Sequence, residues 1–146
     1  MTTYINNRKA HFNYEIKKTF EAGIELLGFE VKAVKSGKGN LAGAFCVVRG
    51  GEAFLIGAHI SPYQEKNTPK GYDPTHSRKL LLSKKEIKEL SVAEGTKGLT
   101  LIPISLYSKG PYIKVELAIA RGKKTFDKRE TIKKRDVERS IRREYK

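Results

Sequence analysis

Leu99-Thr100-Leu101-Ile102-Pro103-Ile104-Ser105-Leu106-Tyr107 is followed, across Ser108-Lys109-Gly110, by Tyr112-Ile113-Lys114-Val115-Glu116-Leu117-Ala118-Ile119-Ala120. In the second run Ile113, Val115, Leu117 and Ile119 fall on one side, while Lys114 and Glu116 fall on the other. That period of two is the mark of a half-buried β-strand. The first run is equally rich in β-formers, and Pro103 cannot donate a ladder hydrogen bond, so a hairpin with a bulge or an edge at the proline is expected. Working outward, Ala44–Arg49 and Glu52–Ile56 flank Gly50-Gly51, which can take positive φ at both centres of a tight turn, giving a second hairpin. Phe20, Ala22, Ile24 and Leu26 alternate with Glu21 and Glu25, giving one more strand over Phe20–Leu26.

Helical signals are fewer. Ser83 followed by Glu86 is a capping-box pattern that opens Lys84–Glu94, with Ile87 and Leu90 on one face and Gly95 to end it. A shorter helix over Phe29–Ser36 would turn Val31 and Val34 inward and stop at Gly37. Residues 61–77, with Pro62, Pro69, Gly71 and Pro74, read as a surface loop. At least five strands and two or three short helices predict a mainly β fold, an OB-like antiparallel barrel.

The chain has 146 residues, the size of one domain. Its 30 basic against 16 acidic side chains give a net charge of +14, and nucleic acid is the leading class of partner. Half of the excess lies in residues 121–146, with 12 basic and 5 acidic side chains. The apolar residues there, Phe126, Ile132, Val137, Ile141 and Tyr145, offer a thin helical stripe but no core. The expected division is a barrel over residues 1–124 and a basic tail over 125–146, disordered in isolation. One cysteine excludes a disulfide framework, and nothing resembles a signal peptide or a membrane span, so a cytoplasmic protein is expected.

Other chemistry finds little support. His11, His59 and His76 lack metal-ligand spacing, and Cys46 sits in an apolar run that explains it as a small hydrophobe. Gly95-Thr96-Lys97-Gly98 matches a KH-type GxxG, but a strand rather than a helix follows it. Gly37-Lys38-Gly39 lacks the spacing and the Lys-Ser/Thr ending of a P-loop. Asp73, Asp127 and Asp136 do not cluster as a phosphoryl-transfer metal site requires. No metal and no cofactor is expected. Basic groups do recur beside rings: Arg8-Lys9 with Phe12 and Tyr14, Arg78-Lys79 with Tyr72, and Lys123-Lys124 with Phe126. Lysine and arginine attract phosphate, and rings stack on unpaired bases.

Several separated stretches carry a resemblance. They are Phe20-Glu21-Ala22-Gly23-Ile24 through Gly28-Phe29-Glu30-Val31-Lys32, Gly51-Glu52-Ala53-Phe54-Leu55, His59-Ile60-Ser61-Pro62-Tyr63, Asp73-Pro74-Thr75, Arg78-Lys79-Leu80-Leu81-Leu82, Gly122-Lys123-Lys124 and Asp127-Lys128-Arg129-Glu130. Over residues 7–143 the chain resembles the small protein B family of SsrA-binding proteins. The pattern departs from the family's at Phe12, where histidine is usual and here falls at His11, and at His76, where arginine is common. The resemblance implies a protein, not an enzyme, that binds the transfer-RNA-like part of transfer-messenger RNA and delivers it to stalled ribosomes for trans-translation. Its tail would probe the empty messenger channel and decoding centre, helical once there; the free protein would be a monomer with no membrane partner.

With the resemblance, the candidate RNA-binding set is Arg8, Lys9, Phe12, Tyr14, Glu30, Lys32, Lys38, Asn40, Arg78, Lys79, Lys123 and Lys124. The candidate ribosome-contacting set is Phe126, Asp127, Lys128, Arg129, Glu130, Lys133, Lys134 and Arg135. Glu30 is the one acid in the RNA set. Its plain role is helix N-terminal pairing, and its functional one is to accept from base edges or to orient Lys32. The competing reading is a generic single-strand RNA-binding module, which needs no long basic extension.

Overall fold

The structure is a computed structural model and describes residues 2–62 and 68–123; the expectations for Lys124 and for the tail lie outside these residues. The elements in chain order are β1 (Thr2–Asn6), α1 (Ala10–Asn13), β2 (Tyr14–Ile24), α2 (Gly28–Lys35), β3 (Gly39–Asn40), β4 (Phe45–Arg49) and β5 (Glu52–Ile56). They continue with β6 (His59–Ile60), β7 (Arg78–Leu81), α3 (Lys84–Glu94), β8 (Leu99–Lys109) and β9 (Tyr112–Gly122). Seven strands form one antiparallel sheet in the order β1-β8-β9-β2-β7-β5-β4, and β3 pairs with β6 apart from it. The fold is mainly β, as expected. The curled sheet is open between β1 and β4 rather than closed by a last ladder.

The hairpin at the centre is β8–β9, in register from Leu99 opposite Arg121 to Lys109 opposite Tyr112. Its register shifts between Pro103 and Ser105. A bulge inserts one residue and turns every later side chain to the other face. Leu99 and Leu101 before it, and Leu106 after it, therefore all reach the main core, although their parity differs. A second shift, in β2 between Ile16 and Lys18, does the same. Tyr14 and Ile16 pack with Ala10, Ile102, Ala118 and Ala120 in a small cluster on the outer face, whereas Phe20, Ala22 and Ile24 enter the main core. The strand expected from Phe20 thus begins at Tyr14, because the bulge hides the continuous alternation.

Local signals hold where the chain obeys them. Gly50 and Gly51 both take positive φ, 60° and 75°, in the turn between β4 and β5. At the start of α3 the Glu86 N–H donates to Ser83 Oγ at 3.2 Å while the Ser83 N–H donates to Glu86 Oε1 at 3.1 Å. Leu90, 0% exposed, carries that helix onto the core. The shorter helix starts at Gly28 and buries Val34 as expected, with Val31 half-buried against the core. Cys46 is buried in the core, and burial, then the charge of Glu94, pushes its thiol pKa up to about 12, so it behaves as an apolar side chain.

Candidate nucleic-acid interface

At the end of the sheet away from the β8–β9 turn, the chain leaves β1 and must cross to α1. Asn7 makes that crossing rigid: its N–H donates to Ile104 O at 2.8 Å and its Nδ2 to Pro103 O at 3.0 Å. The bulge at the proline exposes these carbonyls, and Asn7 satisfies both. Arg8 and Lys9 then stand on an exposed turn, closed by the Ala10 N–H donating to Asn7 O at 3.1 Å. The facing wall is the segment after α2. Gly39 lies there against the buried Ile5: an added Cβ would come within 2.3 Å of Ile5 Cδ1, so a larger residue would have to displace the end of that side chain. Asn40 is held in a tight turn by accepting at Oδ1 from the Ala42 N–H, 2.8 Å.

Between these walls runs a groove of about 430 Å³ that includes Asn6, Asn7, Arg8, Lys9, Gly37 and Asn40. A second groove of about 270 Å³ adjoins it, sharing Asn7, Lys9 and Ala42, and adds Asn13, Tyr14, Phe45 and Thr100. Among the described residues no acidic side chain lines either one. Cations, amides that can donate and accept, and the rings of Tyr14 and of Phe45, 42% exposed, share one continuous surface. This set can neutralise phosphate, hydrogen-bond sugar or base edges and stack on a base.

Of the expected contacts, Arg8, Lys9, Tyr14 and Asn40 are brought together here. Phe12 is half-buried in α1. Lys32 is exposed on α2, and Lys38 is exposed just past that helix, between the groove residues Gly37 and Gly39. Lys123 is partly committed: its N–H donates to Asn13 O at 2.8 Å and its Nζ to His11 O at 2.7 Å, which fastens the end of β9 to α1. Lys79 lies elsewhere, in β7, paired with Glu52 at 3.2 Å. Asn6, Asn7, Asn13 and Phe45 were not anticipated. For Asn6 and Asn7 the local signal is their place beside Arg8-Lys9; Asn13 and Phe45 carry none.

Glu30 and Arg78 are placed otherwise than a direct RNA contact would need. They are 0% and 1% exposed and form a buried pair, Arg78 Nη2 to Glu30 Oε2 2.8 Å and Nε to the same oxygen 3.1 Å. Arg78 also donates to Ala58 O at 2.7 Å and His76 O at 3.1 Å through Nη1, and to Pro74 O at 2.8 Å through Nη2. Glu30 Oε1 accepts from the Leu27 N–H at 2.8 Å, the helix N-terminal role, and Oε2 also meets Tyr72 Oη at 2.8 Å and His76 Nε2 at 2.9 Å. Burial raises the carboxyl pKa, but the Leu27 N–H first, then Arg78, Tyr72 and His76, hold it below its ordinary value. Burial, then the Glu30 carboxylate, pushes the Tyr72 hydroxyl up to about 12. Tyr72 also sets its ring edge-on to Phe29, centroids 4.8 Å apart. This centre ties α2, the segment after residue 68 and β7 into one unit. Among the described residues Glu30 bonds to Leu27, Tyr72, His76 and Arg78 and makes no ion pair with Lys32.

Among the described residues no group of histidine, cysteine and acids is arranged to hold a metal, and no helix is long and apolar enough to cross a membrane. The family model described as "SmpB protein" matches residues 4–146. An SsrA-binding protein of Mesoplasma florum is 53% identical over 140 residues, 96% of this chain and 94% of that protein. One from Microcystis aeruginosa is 48% identical over 141 residues, 97% and 92% of the two chains. A solved structure presented as "tmRNA-SmpB: a journey to the center of the bacterial ribosome" superposes with a TM-score of 0.71 at 41% identity, covering 87% of this chain and 92% of that one. With a family match over nearly the whole length and relatives near half identity, the chain belongs to the SmpB protein family.

Proposed function

We infer that this protein binds transfer-messenger RNA and delivers it to stalled ribosomes in trans-translation. The observation that carries the reading is the double groove at the α1 end of the sheet, lined among the described residues by cations, amides and rings and by no acid, in a chain of the SmpB family. Arg8, Lys9 and Lys38 neutralise backbone phosphates, and Lys32 adds an exposed cation on α2. Asn7, Asn13 and Asn40 hydrogen-bond sugar or base edges, and Tyr14 and Phe45 supply the rings. Glu30 and Arg78 act behind this surface as positioning residues, holding α2 and the chain around residues 72–78 in shape. The protein makes and breaks no covalent bond; it works by occupying space and charge, in the cytoplasm.

The tail, residues 125–146, engages the ribosome rather than capturing the RNA. Phe126 stacks at the decoding centre, Asp127 and Glu130 suit a helix N-terminus, and Lys128, Arg129, Lys133, Lys134 and Arg135 meet ribosomal phosphate. Charge order supports this, with Arg139, Arg142 and Arg143 at the far end.

The experiment compares three forms of the protein: the full chain, an Arg8→Ala/Lys9→Ala variant, and an Asp127→Ala/Lys128→Ala/Arg129→Ala variant. Each is assayed for transfer-messenger RNA affinity and for peptide tagging on stalled ribosomes. The groove variant loses affinity, and the tail variant keeps affinity and loses tagging. Tagging lost by the tail variant only in step with RNA binding would overturn the division of labour.

A further inference from the structure

The inner face of the β8–β9 hairpin carries a feature that the RNA-binding reading leaves unused. Alternation along β8 sends Thr100 and Ile102 to the RNA groove and Leu99 to the opposite face. There Leu99 and Ile119, both half-buried, line a groove of about 460 Å³ against α3. From α3, Lys85, Lys88, Glu89, Val92 and Ala93 line it, at helical spacings that make one stripe of the helix, and Thr96 follows just past its C-terminal cap. Val92 is 65% exposed beside these aliphatic side chains, so the floor is an apolar strip open to water.

The rim has a definite charge. Glu89 is neutralised by Lys18, Nζ to Oε2 2.6 Å. Lys85 and Lys88, both exposed, enter no ion pair among the described residues. The rim is therefore basic around an aliphatic floor.

We propose that this groove docks an acidic amphipathic α-helix of a partner protein, its aliphatic side chains on Val92, Leu99 and Ile119 and its carboxylates toward Lys85 and Lys88. Three alternatives fit the charges and shapes less well. The chain's own residues 124–146 carry ten basic against five acidic side chains and would meet like charge. A second copy paired about a two-fold axis would set this basic rim against itself. RNA would find cations but, among the described residues, no ring on the floor, unlike the groove that holds Tyr14 and Phe45. A helix laid along the three turns of α3 presents residues i, i+3, i+4 and i+7 to such a floor. Because the two grooves lie on opposite faces, the partner binds while RNA is held.

The test uses the full chain with labelled methyl groups and three probes. One is an amphipathic helical peptide of roughly five turns with leucine on one face and flanking glutamates. The second is the same peptide with lysines for the glutamates, and the third is a transfer-RNA-like fragment of transfer-messenger RNA. The acidic peptide is expected to shift the methyl resonances of Val92, Leu99 and Ile119 and to bind about tenfold or more tighter than the basic one. Val92→Asp and Lys88→Glu are expected to weaken it by about tenfold each while leaving RNA affinity within about twofold. Both sites are exposed, so thermal unfolding of these variants serves as the folding control. The proposal is overturned if the acidic peptide leaves those methyls unmoved or binds no better than the basic one. It is equally overturned if binding appears only after residues 124–146 are removed, or if the RNA fragment itself moves the same methyls. None of these outcomes depends on whether the RNA groove is correctly assigned.

Discussion

The Glu30–Arg78 centre and the α1 groove are built from similar side chains, with arginine, tyrosine and hydrogen-bonding groups in both, and they differ in their access to water. In the centre each donor has a protein acceptor, and Arg78 alone spreads its bonds over Glu30, Ala58, Pro74 and His76. In the groove, Arg8 and Lys9 face solvent, and only the backbone that carries them is fixed. A buried charge with every bond made serves shape, because it has nothing left to offer a ligand and costs heavily to disturb. An exposed charge on a rigid turn contributes little to stability and stays available to a polyanion. Changes in the two regions should therefore part cleanly into stability and affinity.

The largest effect is expected at the centre. Arg78→Met leaves Glu30 buried without its cation, and denaturant unfolding should register a loss of about 3–5 kcal/mol. Tyr72→Phe removes one hydroxyl from the charged acceptor and should cost about 1.5–3 kcal/mol by the same measurement. Acid should act on the same group. Its folded pKa is depressed, so its stabilisation is full above the ordinary carboxylate pKa of about 4.3 and is lost as pH falls through the folded value. Glu30→Gln should flatten the acid limb of the stability profile; an unchanged limb would assign acid sensitivity elsewhere. The smallest stability effect is expected in the groove, where Arg8→Ala and Lys9→Ala should each move unfolding by no more than about 0.5 kcal/mol.

This contrast also explains what could be read in the sequence. The two hairpins, the Gly50-Gly51 turn and the Ser83–Glu86 cap depend on neighbours within a few positions, so periodicity and spacing reveal them. β1 is short, and its partner is Ser105 to Ser108, about a hundred residues away. β7 lies within a stretch of mixed pattern, and its partners, Gly23 and Ile24 in β2 and Ala53 to Leu55 in β5, are also beyond any local spacing. Arg78 and Lys79 looked alike as an adjacent basic pair beside Tyr72. One side of the strand is core and the other is surface, so Arg78 is buried while Lys79 reaches Glu52. His76 showed no carboxylate partner at any local spacing because Glu30 is 46 residues away. The groove was half legible: its cations stood out by charge, whereas Asn6, Asn7 and Asn13 carry no charge signal and acquire meaning only when the Pro103 bulge and the Asn40 turn face them.

The claim that the centre shapes while the groove contacts is tested most directly by the salt dependence of transfer-messenger RNA affinity. It should be measured for Arg78→Met and for Arg8→Ala/Lys9→Ala beside the unaltered chain, at a temperature where all three are folded. Each phosphate contact contributes about −0.7 to −0.9 to the slope of log affinity against log salt. The account predicts that the groove variant's slope becomes shallower by up to about 1.4–1.8 with its melting temperature unchanged, whereas Arg78→Met melts lower and keeps the slope of the unaltered chain. A shallower slope for Arg78→Met with an unchanged melting temperature would contradict it, placing that guanidinium on the RNA.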